Sequence, residues 1–193
     1  MLKPVVGLAA LLLAGGCVSF GSEPPPMLLT LTPDATVGAE PRRIAEVGEA
    51  VVIAPPAVPA KLNTTRVPVQ TSSTGIAYLK DAQWVEPPAR LFQRLLGETV
   101  SARTGRVVID PRALVFDPAI RLTGELREFG LDGPSLQVRV VFDAIVQRKD
   151  QGIERRRFEA VETVAEAKPQ PVAAALNRAA NTVAGEVAAW VQG

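Results

Sequence analysis

The spacing of apolar and polar positions changes along this chain, and each change marks a different kind of element. From about residue 119 the period is two. Ile120, Leu122, Gly124 and Leu126 alternate with Arg121, Thr123, Glu125 and Arg127. After a turn around Leu131-Asp132-Gly133-Pro134, the residues Leu136, Val138, Val140, Phe142, Ala144 and Val146 share one side, and Gln137, Arg139, Asp143 and Gln147 the other. A second turn at Lys149-Asp150-Gln151-Gly152 leads to a third strand over Ile153–Ala165. Such alternation predicts antiparallel strands with one face on a core and one in water.

Two other stretches have a helical period. Leu91, Phe92, Leu95, Leu96, Thr99 and Val100 make one stripe, with Arg90, Gln93, Arg94, Glu98 and Arg103 opposite. Pro87-Pro88 suits a helix start, where an N–H would lack a partner anyway, and Thr104-Gly105 suits its stop. An Ala-rich second helix is predicted over Pro169–Trp190, with Val172, Leu176, Val183, Val187 and Trp190 on its buried side. Shorter strands are expected at 27–32, 49–54, 75–80 and 106–110. The stretch 55–73 carries four prolines and no clear period. It reads either as an edge segment laid along the sheet or as a binding loop. The fold expected is α+β: a largely antiparallel sheet with two amphipathic helices packed on one face, forming a single domain over 27–193.

The N-terminus follows a different logic. Lys3 precedes the apolar run Val5–Ala14, VVGLAALLLA. As a helix this run spans about 15 Å, roughly half a bilayer's hydrocarbon core, so it has the length of a signal-peptide core and not of a membrane span. Ala14-Gly15-Gly16 and then Cys17 follow, a placement that resembles the bacterial lipobox, with Ala14 where Leu is commonest. Residues 1–16 are therefore expected to be removed as a signal peptide, and Cys17 to carry fatty acyl chains, palmitate among them. Several chains anchor firmly where one is marginal. Val18 stands after the Cys, where Asp resembles an inner-membrane retention signal. The expected location is thus the inner leaflet of the outer membrane, with the domain facing the periplasm. Val18–Pro26, VSFGSEPPP, reads as a Pro-rich tether reaching up to roughly 30 Å.

Composition narrows the chemistry. Among 193 residues there is no His and one Cys, and Lys plus Arg (21) nearly balance Asp plus Glu (20). A Ser-His-Asp or Cys-His catalytic unit, a His-ligated metal and an internal disulfide are excluded. The balanced charge gives no footprint for nucleic acid. No GxSxG elbow, P-loop or GxGxxG is present. Asp110, Asp117, Asp132, Asp143 and Asp150 read as residues of strand ends and turns. No catalytic residue, metal or cofactor is expected, and the protein is read as a non-enzyme that binds or positions something.

Two features are candidates for contact with a partner. Trp84 is one, because exposed aromatics dominate protein contacts; the other reading is packing at the start of the first helix. The run Glu154-Arg155-Arg156-Arg157 is the second, either as a solvated strand end or as a contact for anionic headgroups or an acidic partner.

The lipobox, an early strand, Val58-Pro59-Ala60-Lys61-Leu62, the Trp84-Val85-Glu86-Pro87 core leading into a helix, the hairpin at 119–147 and the terminal helix ending in Trp190 together resemble one family. It is the ABC-type transport auxiliary lipoproteins, which include the paraquat-inducible protein C lipoproteins. The family pattern prefers an aromatic residue where Lys61 stands and a basic one where Gln83 stands. The resemblance implies a non-catalytic accessory lipoprotein of a mammalian-cell-entry (MCE) type transporter moving phospholipid or other hydrophobic compounds. Its partners would be an MCE-domain periplasmic protein and an ABC permease and ATPase, and a homo-oligomer is compatible with it. The alternatives are a direct lipid or lipopolysaccharide carrier, which needs an apolar pocket, and a structural envelope lipoprotein.

Overall fold

A computed structural model describes residues 27–38, 49–113, 117–149 and 151–193. The segments expected to be a signal peptide (1–16) and a tether (18–26), and Cys17 between them, lie outside the described residues. In chain order the elements are β1 (Leu28–Leu29), β2 (Val51–Ile53), β3 (Pro68–Gln70), β4 (Ile76–Tyr78), β5 (Gln83–Trp84), α1 (Pro88–Thr104), β6 (Val108–Ile109), β7 (Ile120–Asp132), β8 (Gln137–Arg148), β9 (Gly152–Thr163) and α2 (Pro169–Gln192). The α+β class and the two helices match the periodicity that predicts them.

Strand β7 organises the main sheet. One of its edges takes β8, which in turn takes β9, both antiparallel and in long ladders. Its other edge is shared. β2 pairs in parallel with Ile120–Leu122, Ala57 bridges to Glu125, and β3 pairs in parallel with Leu131 and Asp132. β6 extends the sheet beyond β2, and β4 extends it beyond β3. A separate small sheet pairs β1 with β5 in parallel. The long ladders are antiparallel as the alternation requires, whereas most short pairings at the rim are parallel. Isolated runs of two or three apolar residues carry no signal of direction.

The proline-rich stretch is not a free loop: it is laid along the sheet, running parallel to β7 from the Ala57–Glu125 bridge to β3. At β3 it lies between β7 and β4, so there the edge belongs to β4. Pro68 is accommodated because Gly130 on β7 has no side chain. A Cβ there would sit 2.5 Å from the Pro68 carbonyl oxygen.

Strand β7 also contains a bulge. Leu126 faces Phe142 and Glu128 faces Val141, leaving Arg127 as the extra residue. Core positions therefore switch from even to odd along β7. Leu122 and Leu126 are buried before the bulge, Phe129 and Leu131 after it. An irregular step of this kind bends the strand and re-aims a side chain.

Both helices lie on one face of the sheet. Helix α1 buries Leu91, Phe92, Leu95, Leu96, Thr99 and Val100, the stripe its spacing predicts. Helix α2 packs on β8, β9 and α1. Its buried positions include Ala175, Ala179, Ala180, Ala184 and Ala188, whose small side chains permit close approach. The last carbonyls of α2 are satisfied from the sheet: the Arg148 guanidinium donates to Val191 O at 3.2 Å and Trp190 O at 3.0 Å. Near the start of the described chain, the Asn181 amide donates to Thr32 O and accepts from Asp34 N, both at 2.9 Å, and Asn177 Oδ1 accepts from Thr32 N at 2.8 Å. These bonds turn the chain away from β1 and hold it against α2, so the first strand stops at Leu29 although the sequence pattern extends to Thr32.

Candidate functional site

Trp84 belongs to the core. It is 1% exposed, and its ring lies 5.4 Å from that of Phe129. Phe92 continues the aromatic contacts, 6.5 Å from Phe129 and 5.3 Å from Phe142. Packing at the helix entrance is thus the reading the geometry fits, and a surface contact is not available to this side chain as folded. The rest of the Trp84-Val85-Glu86-Pro87 motif builds the same entrance. Val85 is exposed, Glu86 forms an ion pair with Arg94, and the Pro87 carbonyl accepts the first helical hydrogen bonds, from Arg90 N at 2.9 Å and Leu91 N at 3.4 Å.

The side of the sheet away from the helices carries the most organised surface chemistry. Strand alternation divides the arginine run. Arg155 and Arg157 project onto this open side, whereas Arg156 lies on the helix side, its guanidinium carbon 5.1 Å from the centre of the Phe158 ring. The three arginines therefore do not form one basic patch.

At the centre of the open side is Asp143, on the polar side of its strand as the alternation predicts, and not at a strand end or turn. It stands in the middle of β8, opposite Glu125 on β7 and Arg157 on β9, and its side chain is 4% exposed. Arg157 donates to it twice, Nε to Oδ1 at 2.6 Å and a terminal nitrogen to Oδ2 at 2.8 Å. Arg155 donates to Oδ2 at 3.1 Å, and Arg127, the bulge residue, approaches the same oxygen at 3.5 Å while also reaching Glu125. The fork-shaped guanidinium matches the planar carboxylate, which makes the Arg157 contact the strongest of the set.

This geometry fixes the charge state. Hydrogen bonds from Arg157 hold the Asp143 carboxyl far below the ordinary carboxylate range; burial opposes the shift and Arg155 reinforces it. The same contact raises the Arg157 guanidinium above its already high value. A carboxylate so held is ill-suited to take up or release a proton near neutrality. The cluster works as an electrostatic lock between three strands. Around it, Arg139 pairs with Glu159 at 2.7 Å and with Glu128 at 3.6 Å, giving the open side alternating positive and negative groups.

Below the lock, Gly124 has φ of +153°, and a Cβ there would lie 2.2 Å from the Asp143 carbonyl oxygen and 2.8 Å from the Phe142 ring. Only glycine lets β7 come this close. The sequence reading placed Gly124 in the apolar alternation, and the structure shows the reason: it is an absent side chain at a tight approach.

A surface cleft of about 570 Å³ borders α1 and β6. Ile53 and Val108 line it, but so do Arg90, Arg94, Glu98 and Asp110. Asp110 is held down to about 2 by hydrogen bonds from Arg112. Such a lining does not resemble the apolar pocket a lipid carrier requires. Among the described residues no three His, Cys, Asp or Glu side chains are grouped to hold a metal ion, and no helix is long and apolar enough to cross a membrane.

Comparison with known proteins agrees with this architecture. A crystal structure of a Xanthomonas campestris protein whose family model is DUF330 superposes with a TM-score of 0.67 at 19% identity, covering 86% of this chain and 95% of the other. A crystal structure described only as an uncharacterised protein gives a TM-score of 0.65 at 17% identity, covering 76% and 94%. At these identities the likeness is one of fold. No curated protein matches the sequence. A family model described as the ABC-type transport auxiliary lipoprotein component matches residues 29–188, from β1 almost to the end of α2. Because the match takes in the sheet, both helices and the arginine lock alike, this chain belongs to the ABC-type transport auxiliary lipoprotein component family.

Proposed function

We propose that this protein is a non-catalytic adaptor, held by lipidated Cys17 at the inner leaflet of the outer membrane. There it docks an MCE-type ABC transporter that moves phospholipid or another hydrophobic compound across the envelope. Its partners in this reading are an MCE-domain periplasmic protein and the permease and ATPase behind it. The observation that carries the proposal is the family match over 29–188, which includes the whole main sheet, all of α1 and most of α2. Two features support it. The only cysteine of the chain follows an apolar leader and precedes a short Pro-rich segment, an order suited to a lipid anchor. The most organised polar cluster is also a charge lock, its buried Asp143 carboxylate held by Arg157 and Arg155, suited to holding a surface in shape.

A genetic comparison tests the reading. Cells lacking this protein are expected to show the same envelope-permeability defect as cells lacking the cognate permease, with no additional defect when both are absent. The full chain restores the barrier, and Cys17→Ser, exported but unanchored, does not. Full rescue by Cys17→Ser, or additive defects in the double deletion, would contradict an anchored adaptor.

A further inference from the structure

Strand β9 is twelve residues long and, among the described residues, pairs only with β8. Among the described residues, no backbone hydrogen bond reaches its outer edge. Long open edges are templates for another strand, and proteins usually guard them with outward charges, prolines or bulges. Here β9 has no proline, and its ladder with β8 runs without a register shift from Gly152 to Thr163. Its open-side arginines, Arg155 and Arg157, share the single Asp143 carboxylate, which offsets part of the charge an incoming strand would meet. At the two ends of the same side stand Ile153, 71% exposed, and Val161, 42% exposed.

We propose that this edge pairs antiparallel with β9 of a second copy of this chain, joining two main sheets into one continuous sheet about a twofold axis at Arg157. The register follows from symmetry and charge. A twofold axis perpendicular to the sheet keeps open-side residues opposite open-side residues, so odd positions face odd ones. With Arg157 on the axis, Ile153 faces the partner's Val161 and Arg155 faces the partner's Glu159, each twice. On the helix side Glu154 faces the partner's Ala160, and Arg156 faces the partner's Phe158. The one like-charge contact, Arg157 with its own copy, joins two guanidinium groups that each already hold the Asp143 carboxylate of their own chain.

Neighbouring registers are worse. Moving the axis one residue forward, to Phe158, sets Glu154 opposite Glu162 twice. Moving it to Glu159 puts two carboxylates together on the axis, and moving it back to Arg156 sets Arg155 opposite Arg157 twice. Like charges directly opposed across strands are destabilising, and apolar and opposite-charge pairs are favourable. Only the Arg157-centred register covers both exposed apolar side chains and pairs Arg155 with Glu159. This inference is independent of which transporter the protein serves.

The test is sedimentation of the full-length chain in mild detergent over a concentration series, with circular dichroism to confirm folding. The wild type is expected to form dimers. Ile153→Lys alone and Val161→Glu alone each weaken association about tenfold, since each removes two cross-strand apolar pairs per dimer. The double variant recovers, because Lys at 153 then faces Glu at 161 of the other copy. A monomer at all concentrations, or an oligomer whose affinity ignores both single variants, overturns the proposal. Weakening without recovery in the double variant overturns the register.

Discussion

Arg157 on β9 and Asp143 on β8 form a two-pronged contact at 2.6 and 2.8 Å in which the acid is buried and the base stands at the surface. The pairing joins a central strand to an outer one, so its loss is felt across the sheet. Asp143→Asn keeps the shape but leaves Arg155 and Arg157 without the carboxylate they share, and Arg127 with Glu125 alone. Removing one member of a buried pair costs about 3–5 kcal/mol; with the arginines half exposed and screened, about 2–3 kcal/mol is expected here. Urea titration at neutral pH measures it.

The same pair predicts a pH dependence. The folded-state pKa of Asp143 is depressed, so the stability it supplies is fully present above the unfolded value of about 4 and is lost as pH falls from there toward the lower folded value. The stability difference between wild type and Asp143→Asn should therefore stay constant from pH 8 to about 5 and shrink below about 4. A difference that already declines between pH 7 and 5 would show the carboxyl is not held by its arginines.

Gly124→Ala should be among the most damaging single-methyl additions to this domain. The added carbon meets the backbone oxygen of Asp143 and the Phe142 ring, neither of which can swing away, at a backbone angle that disfavours side chains. A loss of about 2–4 kcal/mol follows from overpacking and strain together. Thermal melting checks it, and an unchanged midpoint would mean β7 moves freely away from β8.

Asn181 ties the strap at Thr32–Asp34 to α2 through two hydrogen bonds, donating to Thr32 O and accepting from Asp34 N. Asn181→Leu is expected to release the strap while leaving the sheet intact. Hydrogen exchange should speed up at Asp34 N–H with little change in β7 and β8. Uniform acceleration across the sheet would instead mean the strap and sheet unfold together.

Among the described residues, two buried side-chain polar atoms have no hydrogen-bond partner: Trp84 Nε1 and Thr99 Oγ1. An unpaired buried group costs about 1–3 kcal/mol. Thr99→Val replaces the hydroxyl with a methyl of similar size and should leave stability equal or raise it by up to about 1 kcal/mol. Trp84→Ala removes the orphan N–H too, but it empties the contact with Phe129 and should cost about 3–5 kcal/mol. Denaturant midpoints for the pair of variants separate the two effects.

The long strands and both helices were legible because each is long enough for its period to show. The bulge was partly legible: Leu126, Phe129 and Leu131 break the period of two, and that step is the signal a single slip leaves. β3 was not, since Val69 lies beside Pro68 and its partner Leu131 is far off in sequence. Trp84 could not be assigned to core or surface from a motif alone, because the deciding neighbour, Phe129, comes from another element. Asp143 was hidden for a related reason. It occupies a polar position in an alternating strand, which normally faces water, and only the register of β8 with β9 brings Arg155 and Arg157 over it. Side-chain chemistry assembled across strands is readable only once the pairing is known.

In the proposed role the protein works as a partner of an ABC transporter. The most direct measurement is affinity purification of the full-length chain, tagged at its C-terminus, from intact envelopes cross-linked before lysis. An MCE-domain protein is expected to be enriched together with an ABC permease and ATPase, and all three to be lost with Cys17→Ser. Recovery of the chain with none of them, or with bound lipid as its sole companion, would contradict that role.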